Sequence, residues 1–467
     1  MRGRTWAAVV IPTIVVSGVV GYGVADAADV APGWITWADP YVTPEPFPSA
    51  VDPAAGTVPS EPPPLLDDQP EPPSVANVQA LVDRFLADPR LGTSTGVSVV
   101  DLATGQTLAS SSADVPRIPA SNVKLLTATA ALEVLGPDSR LRTTVVWDGD
   151  AGLTIVAGGD MMLAAGYGHY GDKPWANGWA GLGELADQVA GALKADGATS
   201  VTLAYDDSAF GAPRVNPNWP VNSVKRGYSA PITGLAVDVG WTGNADYKRY
   251  DDPSLRTAQV FAAALGERGI TVTSVGSGRA PAGAAEVGAV EGAPIFDVVG
   301  YMLTYSENTL AEDLARLVAL HQGRPGTTAE ATSAVLAALA AYGLDTSSIT
   351  MADGSGLDRN SRISARALTS LLVLLAADPD AGDILRDLPV GSLSGTLAGR
   401  FTGTDTAGFV RAKTGTLNGA SALSGTLVTA DGTWLGFSIM LNGIPIYATP
   451  ALDAMDSFVA SLGACGC

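Results

Sequence analysis

Two of the chain's few lysines stand beside serine or threonine residues, where an amine that can accept a proton would be useful. Only six of the 27 basic residues are lysine, among them Lys124 in Ser121-Asn122-Val123-Lys124 and Lys413 in Lys413-Thr414-Gly415-Thr416. Arginine stays protonated in proteins, whereas a buried lysine can lose its proton and act as a base. The sequence therefore marks these two amines as candidates for chemistry.

The first pair lies in a stretch, Ala120 to Leu135, that is apolar on most faces and is predicted to be a buried helix. A spacing of three residues places Ser121 and Lys124 on one face, so the amine can reach the hydroxyl. Burial lowers the pKa of an amine, and a neutral amine can take the serine proton. Alone, the pair also fits a helix-capping serine followed by a lysine that extends into solvent.

Two further segments carry residues of the same kinds. Ser306-Glu307-Asn308 lies in a stretch, Tyr301 to Leu320, that is predicted to be helical, and Lys413-Thr414-Gly415 lies on a predicted strand, Phe409 to Thr416. The glycine, placed where a strand side chain would point into a cleft, leaves room for the backbone of a ligand to approach. The chain thus carries Ser-x-x-Lys, Ser-x-Asn and Lys-Thr-Gly in that order.

These motifs, in this order, are those of class A β-lactamases and penicillin-binding proteins. Ser306 follows Ser121 by 185 positions (306 − 121), a larger separation than a compact β-lactamase has. From about residue 75 to 462 the chain resembles the class C low-molecular-mass penicillin-binding proteins, which are D-alanyl-D-alanine carboxypeptidases and endopeptidases with a module inserted between the first two motifs. Further segments that carry the resemblance are Gly158-Gly159-Asp160, Asp206 to Trp219, Ala230 to Asp238, Pro294 to Ala311, Asp353 to Leu357 and Leu388 to Leu397.

The resemblance implies a fold. It is α+β, the penicillin-binding-protein/β-lactamase-like transpeptidase fold, with an antiparallel sheet, helices on both sides of it and an inserted mixed α/β module. The transpeptidase-like domain is expected to comprise residues 75–137 and 291–467, and the inserted module residues 138–290. Short strands and glycine-rich turns beyond Gly136 fit such a module.

The resemblance also implies roles for single residues. Ser121 would be the acylating nucleophile, Lys124 its base, and Ser306 the relay that passes a proton to the departing D-alanine amine. Asn308 would hydrogen-bond Lys124 and the substrate peptide. Lys413 would add positive potential and, by like-charge repulsion, would help to keep Lys124 neutral. These five residues are the expected catalytic set.

The strand would bind the substrate through Thr414, Gly415 and Thr416. Either threonine would bind the terminal carboxylate, and the backbone N–H groups of Ser121 and Thr416 would form an oxyanion hole. One departure from the family pattern is Glu307, where many relatives have aspartate, although this side chain is not the one assigned chemistry.

The first 74 residues do not fit that fold. An uncharged run from Trp6 to Val24 and the small-residue site Ala25-Asp26-Ala27 predict that residues 1–27 are a cleaved signal peptide or a retained membrane anchor. Residues 28–74 are dense in proline and acid and are predicted to be an extended tether. The protein is therefore expected to be exported to the cell envelope, either secreted or anchored by its N-terminal segment.

Composition excludes several classes of function. The formal charge of −20 and the pI near 4.4 argue against a nucleic-acid partner. Two cysteines, Cys465 and Cys467, and two histidines, His169 and His321, are too few donors for a zinc site of Cys and His ligands, so no metal or cofactor is expected. The expected partners are peptidoglycan peptide stems and, as covalent inhibitors, β-lactam antibiotics, with membrane contact only through the N-terminal segment.

Two other functions are compatible with the same residues. A β-lactamase or esterase of the same superfamily would use the same serine, although no obvious glutamate motif for rapid deacylation lies between Ser121 and Ser306. A non-catalytic scaffold that binds the cell wall would use the inserted module and the tether. The motifs also leave open whether cleavage is exo or endo.

Overall fold

The computed structural model describes residues 74–173, 175–243, 248–445 and 449–464. The predicted signal peptide or anchor, the predicted tether up to residue 73, and both cysteines lie outside the described residues. Within these ranges, no helix is long and apolar enough to cross a membrane.

The elements are numbered in chain order. The helices of the described residues are α1 (Val75–Leu86), α2 (Val123–Leu135), α3 (Leu182–Ala195), α4 (Pro253–Glu267), α5 (Ile295–Tyr305), α6 (Asn308–His321), α7 (Thr328–Tyr342), α8 (Ala365–Ala377) and α9 (Thr449–Gly463). The strands are β1 (Ser94–Asp101), β2 (Thr107–Ser111), β3 (Arg140–Trp147), β4 (Gly152–Val156), β5 (Asp160–Leu163), β6 (Ser200–Asp206), β7 (Leu235–Val237), β8 (Thr271–Ser277), β9 (Ala285–Pro294), β10 (Val410–Leu417), β11 (Ala420–Val428) and β12 (Trp434–Asn442).

An antiparallel sheet carries the third motif. Its strand order is β10-β11-β12-β1-β2, so β10, which contains Lys413, lies at one edge. Strands β1 and β2 form a hairpin, and β10 corresponds to the strand predicted from Phe409 to Thr416. Each strand joins its neighbour in an antiparallel register.

Alternate side chains of this sheet meet two different helical layers. Val97 and Val99 pack in one core cluster with α1 and α9, whose Phe85 and Phe458 rings stack with centroids 4.6 Å apart. Ser98 belongs to the other face, where its hydroxyl lies 2.8 Å from that of Thr369 in α8. Because side chains of a strand alternate between the faces, a sheet with two apolar faces must be covered by helices on both sides.

Helix α2 lies in the centre of the helical layer. Every residue from Val123 to Leu132 is buried, and α5, α6 and α7 pack against the helix. A helix that is apolar all round has no polar face to leave in water, which explains this position. The prediction of a buried helix over residues 120–135 is confirmed, with a 3₁₀ turn at Ala120–Asn122 preceding the regular helix.

A second sheet lies between the first two motifs in the sequence. Its order is β8-β6-β4-β3-β9; β3 is antiparallel to β4 and β9, whereas β4, β6 and β8 run parallel. Helix α3 packs on β9, and α4 packs on β8. This mixed sheet corresponds to the α/β composition expected for residues 138–290, although β9 continues to Pro294. The division of the chain into domains stays a prediction.

The second motif lies at a helix junction rather than inside a helix. The sequence predicts helical structure from Tyr301 to Leu320, but α5 ends at Tyr305 and α6 begins at Asn308. Between them, Ser306 adopts a left-handed conformation with φ 56° and ψ 38°. Neither glycine nor proline marks the junction, so the helical periodicity continues through it in the sequence.

Candidate active site

The hydroxyl of Ser121 lies on the turn that precedes α2. The residue before it, Ala120, has φ 48°, a left-handed value that residues other than glycine seldom adopt. A Cβ on Gly415 of β10 would lie 2.8 Å from Pro119 O and 3.0 Å from Ser121 N, and a Cβ on Gly356 would collide with Ala120 O. Backbone contacts therefore fix the serine, and the backbone that approaches Gly415 is the chain's own turn.

The amine of Lys124 lies among three oxygen atoms. Its Nζ is 3.0 Å from Ser121 Oγ, 2.7 Å from Asn308 Oδ1 and 2.7 Å from Ser355 O. A neutral amine has two N–H groups and one lone pair. When the two N–H groups donate to the two carbonyl oxygens, the lone pair is left for the proton of the Ser121 hydroxyl.

Burial controls the protonation of this amine. Lys124 is 0% exposed, and burial lowers its pKa from 10.5 to about 8. The charges of Asp353, Glu312 and Glu307 act in the opposite direction and raise the pKa. A pKa of about 8 leaves roughly one amine in ten neutral at pH 7 and about half neutral at pH 8.

Ser306 and Lys413 form a second pair. Lys413 Nζ donates to Ser306 Oγ at 2.9 Å and to Thr414 O at 2.8 Å. Burial holds the pKa of Lys413 well below its usual value, and the charge of Lys124 lowers it further. The sequence predicts that repulsion between the amines acts on Lys124, whereas burial is the main cause at both lysines and the repulsion adds to it at Lys413.

The other residues of the second motif contact segments that precede it in the chain. Asn308 Nδ2 donates to Tyr228 O at 2.7 Å, while Oδ1 of the same side chain accepts from the first lysine. Glu307, which the sequence leaves without a role, caps α6 and forms an ion pair with Arg249 at 2.7 Å. Tyr228 and Arg249 both lie in the predicted inserted module, so this part of the chain contributes to the site.

The edge strand β10 presents backbone groups away from its sheet. Val410 and Ala412 form backbone hydrogen bonds with residues 389–391 on that outer side. Because the direction of backbone groups alternates along a strand, the N–H groups of Thr414 and Thr416 point to the same side. The side chain of Thr416 is exposed, and the hydroxyl of Thr414 bonds to the Thr396 hydroxyl at 2.8 Å.

A loop that was not assigned chemistry completes the surroundings of Lys124. Its residue Ser355 supplies one of the carbonyl acceptors, and the Ser355 N–H donates to Glu312 at 2.8 Å. Asp353 accepts several bonds that hold the loop, one of them from Trp219 Nε1 at 2.9 Å. The sequence signal was the run Asp-Gly-Ser-Gly, which is typical of a turn but does not say what the turn contacts.

The five predicted catalytic residues are brought together by two amines. Lys124 contacts Ser121 and Asn308, and Lys413 contacts Ser306, two residues before that asparagine. No cluster of three or more His, Cys, Asp or Glu side chains able to hold a metal ion occurs in the part of the chain that the structure describes. The groups that the predicted residues offer for chemistry are hydroxyls, amines and backbone N–H groups.

Comparison with known proteins identifies relatives along most of the chain. The model of the D-Ala-D-Ala carboxypeptidase 3 (S13) family matches residues 78–245 and 244–462. Carboxypeptidase DacB of Mycolicibacterium smegmatis is 34% identical over 436 residues, which cover 91% of this chain and 90% of that protein. A D-alanyl-D-alanine carboxypeptidase of Actinomadura sp. is 30% identical over 81% of this chain and 83% of its own length.

A solved structure has the same fold. Penicillin-binding protein 4 of Haemophilus influenzae matches with a TM-score of 0.68 at 20% identity, over 83% of this chain and 99% of that one. The likeness confirms the predicted penicillin-binding-protein fold class. From the family model, which matches well over half of the sequence, and from relatives that align along nearly all of it, the chain belongs to the D-Ala-D-Ala carboxypeptidase 3 (S13) family.

Proposed function

We propose that the protein is a serine D-alanyl-D-alanine carboxypeptidase/endopeptidase that cleaves peptidoglycan stem peptides through an acyl-enzyme on Ser121. The observation that carries the proposal is the position of Lys124 Nζ, 3.0 Å from Ser121 Oγ with two carbonyl oxygens at 2.7 Å. The curated relatives named as D-alanyl-D-alanine carboxypeptidases support the same substrate class.

Acylation begins with the transfer of the Ser121 proton to neutral Lys124. The serine oxygen attacks the carbonyl carbon between the two D-alanines and forms a tetrahedral oxyanion. The N–H groups of Ser121 and Thr416 stabilise that charge, because Ser121 N lies beside Gly415 and the Thr416 N–H points outward from β10. Each such donor is worth roughly 3 to 4 kcal/mol in enzymes where it has been removed.

The leaving amine requires a proton when the tetrahedral intermediate collapses. Ser306 donates it, since its hydroxyl is bonded to Lys413 Nζ at 2.9 Å and lies at the junction that also carries Asn308. The proton that Lys124 took from Ser121 replaces the one that Ser306 gave to the leaving amine, so no proton is gained or lost over the step. Water then attacks the acyl-enzyme, with Lys124 again accepting a proton, and releases the shortened peptide.

A β-lactam would acylate the same serine. Its amide carbonyl occupies the place of the scissile bond, and its carboxylate takes the place of the terminal carboxylate near Thr414 and Thr416. The Haemophilus influenzae penicillin-binding protein 4 has also been solved in complex with a β-lactam, which supports this part of the proposal.

The relatives imply a location in the cell envelope. We infer further that residues 1–27 direct export and that residues 28–74 connect this segment to the enzyme. Fractionation of cells that express the full chain would test the inference: protein in the cytoplasmic fraction would contradict it. The mass of the mature N-terminus would distinguish a cleaved signal from a retained anchor.

Purified protein tests the main proposal directly. The wild type should be labelled by fluorescent penicillin and should release D-alanine from a pentapeptide stem, whereas Ser121→Ala should do neither. Mass spectrometry of products from a cross-linked stem dimer would add whether endo cleavage occurs. Labelling that persists in Ser121→Ala would contradict the nucleophile assignment, rapid nitrocefin turnover would favour a β-lactamase, and wall binding without labelling would favour a scaffold.

A further inference from the structure

The turn that carries Ser306 is contacted by residues of the predicted inserted module that lie within 227–243 and 248–250. Three consecutive residues of the motif region take part. Glu307 pairs with Arg249, Asn308 Nδ2 donates to Tyr228 O at 2.7 Å, and Thr309 Oγ1 accepts from the backbone N–H of Ala230 at 3.0 Å.

Arg249 is the most firmly held member of this segment. Its side chain is only 2% exposed and that of Glu307 10%, and their ion pair is 2.7 Å long. The guanidinium also donates to Val239 O at 2.7 Å and to Gly227 O at 3.3 Å. Its Cζ lies 3.3 Å from the centroid of the Trp241 ring. Lysine has no planar fork with which to make all these contacts at once.

The left-handed conformation of Ser306 explains why such a brace is needed. A residue other than glycine at φ 56° is strained, and strain of this kind persists only where surrounding contacts hold it. The C-cap of α5 holds this residue on one side through backbone N–H bonds to Met302 O, and α6 begins two residues after it, so the side toward α6 needs a constraint of its own. The ion pair, the asparagine contact and the threonine contact lie on the side of α6 and supply that constraint.

We propose that Arg249 is a positioning residue for catalysis: it fixes the Ser306-Glu307-Asn308 turn and neutralises Glu307 beside the catalytic lysine. The inference rests on the proposed function of the same site and extends it to a residue outside all three motifs. Together with Tyr228 and Ala230, Arg249 then forms a wall of the catalytic centre.

The neutralising part of the role has an electrostatic consequence at Lys124. Carboxylates on three elements face this amine, namely Glu307, Glu312 and Asp353, and Lys413 faces it from β10. The carboxylates raise the pKa of Lys124 against the effect of burial. Without the positive charge of Arg249, Glu307 would attract the lysine proton more strongly, and less neutral base would be present at a given pH.

The test is the pH dependence of acylation by fluorescent penicillin, measured on the full chain. Arg249→Met should slow acylation about 10- to 100-fold, because displacement of catalytic groups by about 1 Å costs that much. The acid limb of its pH–rate profile, over which the rate rises as Lys124 loses its proton, should move to higher pH by about one unit. Arg249→Lys keeps the charge but not the fork, so its acid limb should stay in place while its rate falls by a smaller factor.

Substitution of Glu307, the ion-pair partner of Arg249, separates the effect of charge on Lys124 from the effect of the position of the turn. Glu307→Gln should move the acid limb to lower pH, and the double variant Arg249→Met/Glu307→Gln should return it to the wild-type position. A matched control is Arg256→Met, since Arg256 is an exposed arginine on α4 that packs over the Tyr250 ring at 5.4 Å. This control should acylate at the wild-type rate with an unchanged profile.

The outcomes distinguish this inference from the proposed function. Wild-type protein that is not labelled would overturn the proposed function. Labelled wild type together with a folded Arg249→Met or Arg249→Lys protein of wild-type rate and profile would overturn the positioning role alone. If Arg249→Met does not fold, Arg249→Lys and Glu307→Gln carry the test, and an acid limb that Glu307→Gln does not move would overturn the electrostatic part.

Discussion

The two serines of the site are held by different kinds of contact. Ser121 lies on a turn whose close neighbours are backbone atoms, because Gly415 and Gly356 leave no space for a side chain there. Ser306 lies at a helix junction, and the neighbours of that junction are side chains: Lys413 bonds its hydroxyl, and Arg249 pairs with the next residue along the chain.

The difference separates a rigid position from an adjustable one. Backbone packed against backbone has no rotamers, so Ser121, the proposed nucleophile, keeps its place at no further cost in side-chain entropy. A junction held by an ion pair and side-chain hydrogen bonds depends on the charges and lengths of those side chains. Substitutions near Ser121 should therefore lower the rate by displacing the serine, whereas those near Ser306 should change both the rate and its pH dependence.

The largest expected effect concerns the base beside the rigid serine. Lys124→Arg keeps the positive charge but removes the proton acceptor, so acylation should fall by about 10² to 10⁴. Lys413→Arg, the matched change beside Ser306, should cost only about tenfold, because a hydrogen-bond donor to Ser306 remains. Stopped-flow acylation by a fluorescent penicillin would measure both. Equal losses in two folded variants would contradict the distinction between the two serines.

The next effect tests the backbone contacts around Ser121. Gly415→Ala should push the Pro119–Ser121 turn away from β10, because the added Cβ would lie 2.8 Å from Pro119 O. Acylation should fall by about 100-fold, as expected for a displaced nucleophile. The control is Gly276→Ala on β8, where no atom lies within 4 Å of the added carbon. Wild-type kinetics for Gly415→Ala would show that the close approach does not position the serine.

The pH dependence of acylation by the wild type should reflect the pKa of Lys124, which burial lowers. Only the neutral amine accepts the serine proton, so acylation should rise about tenfold per pH unit below pH 7 and level off above about 8, the pKa of this lysine. The free energy of unfolding should also increase with pH. Since the unfolded chain keeps that proton up to the usual pKa of 10.5, this group makes stability rise with pH between about 8 and 10.5.

Rates that are flat from pH 6 to 9 in a single-turnover assay would contradict a titrating base. Ser121→Ala, with Lys124 left in place, is the control for the stability measurement. Its free energy of unfolding should keep the same pH dependence, because the buried amine rather than the serine titrates.

The smallest effect is expected at Trp219, where the predicted inserted module contacts the Ser121 side. Trp219→Phe removes a 2.9 Å bond to Asp353, which keeps its backbone donors from Gly356 and Asp358. The free energy of unfolding should fall by about 1 kcal/mol and acylation should change less than about threefold. Urea unfolding and penicillin labelling would measure these. If Trp219→Phe lowered the acylation rate more than Arg249→Met does, this would contradict the inference that the predicted inserted module acts on the Ser306 side of the site.

Local patterns predicted some of the regular elements. The apolar stretch around Lys124 predicted a buried helix and a desolvated amine because burial on all faces is visible in the sequence, and the strand predicted from Phe409 to Thr416 corresponds to β10. The family resemblance supplied the roles of the motif residues, and those roles remain a prediction that the variants above test.

Other features depend on contacts that no local pattern records. The junction at Ser306 was missed because helix-forming residues continue on both sides of it and no glycine marks the left-handed residue. Arg249 pairs with Glu307 across 58 positions, and Ser355 lies 231 positions from Lys124. Such pairs follow from the packing of whole elements, so the sequence left Glu307 without a role and left open whether the loop of Ser355 shapes the rim of the cleft or is a plain turn.

The glycines around Ser121 also bear on how this enzyme can change under antibiotic pressure. Where the neighbours of Ser121 are main-chain atoms, no side chain can be replaced to make a small change of shape. At Gly356, which has φ 81°, an added methyl would collide with the carbonyl oxygen of Ala120. Variants that discriminate between a drug and the natural peptide must therefore arise elsewhere. We expect them among the side chains that hold the turn of Ser306, because a substitution there can change reactivity without displacing Ser121.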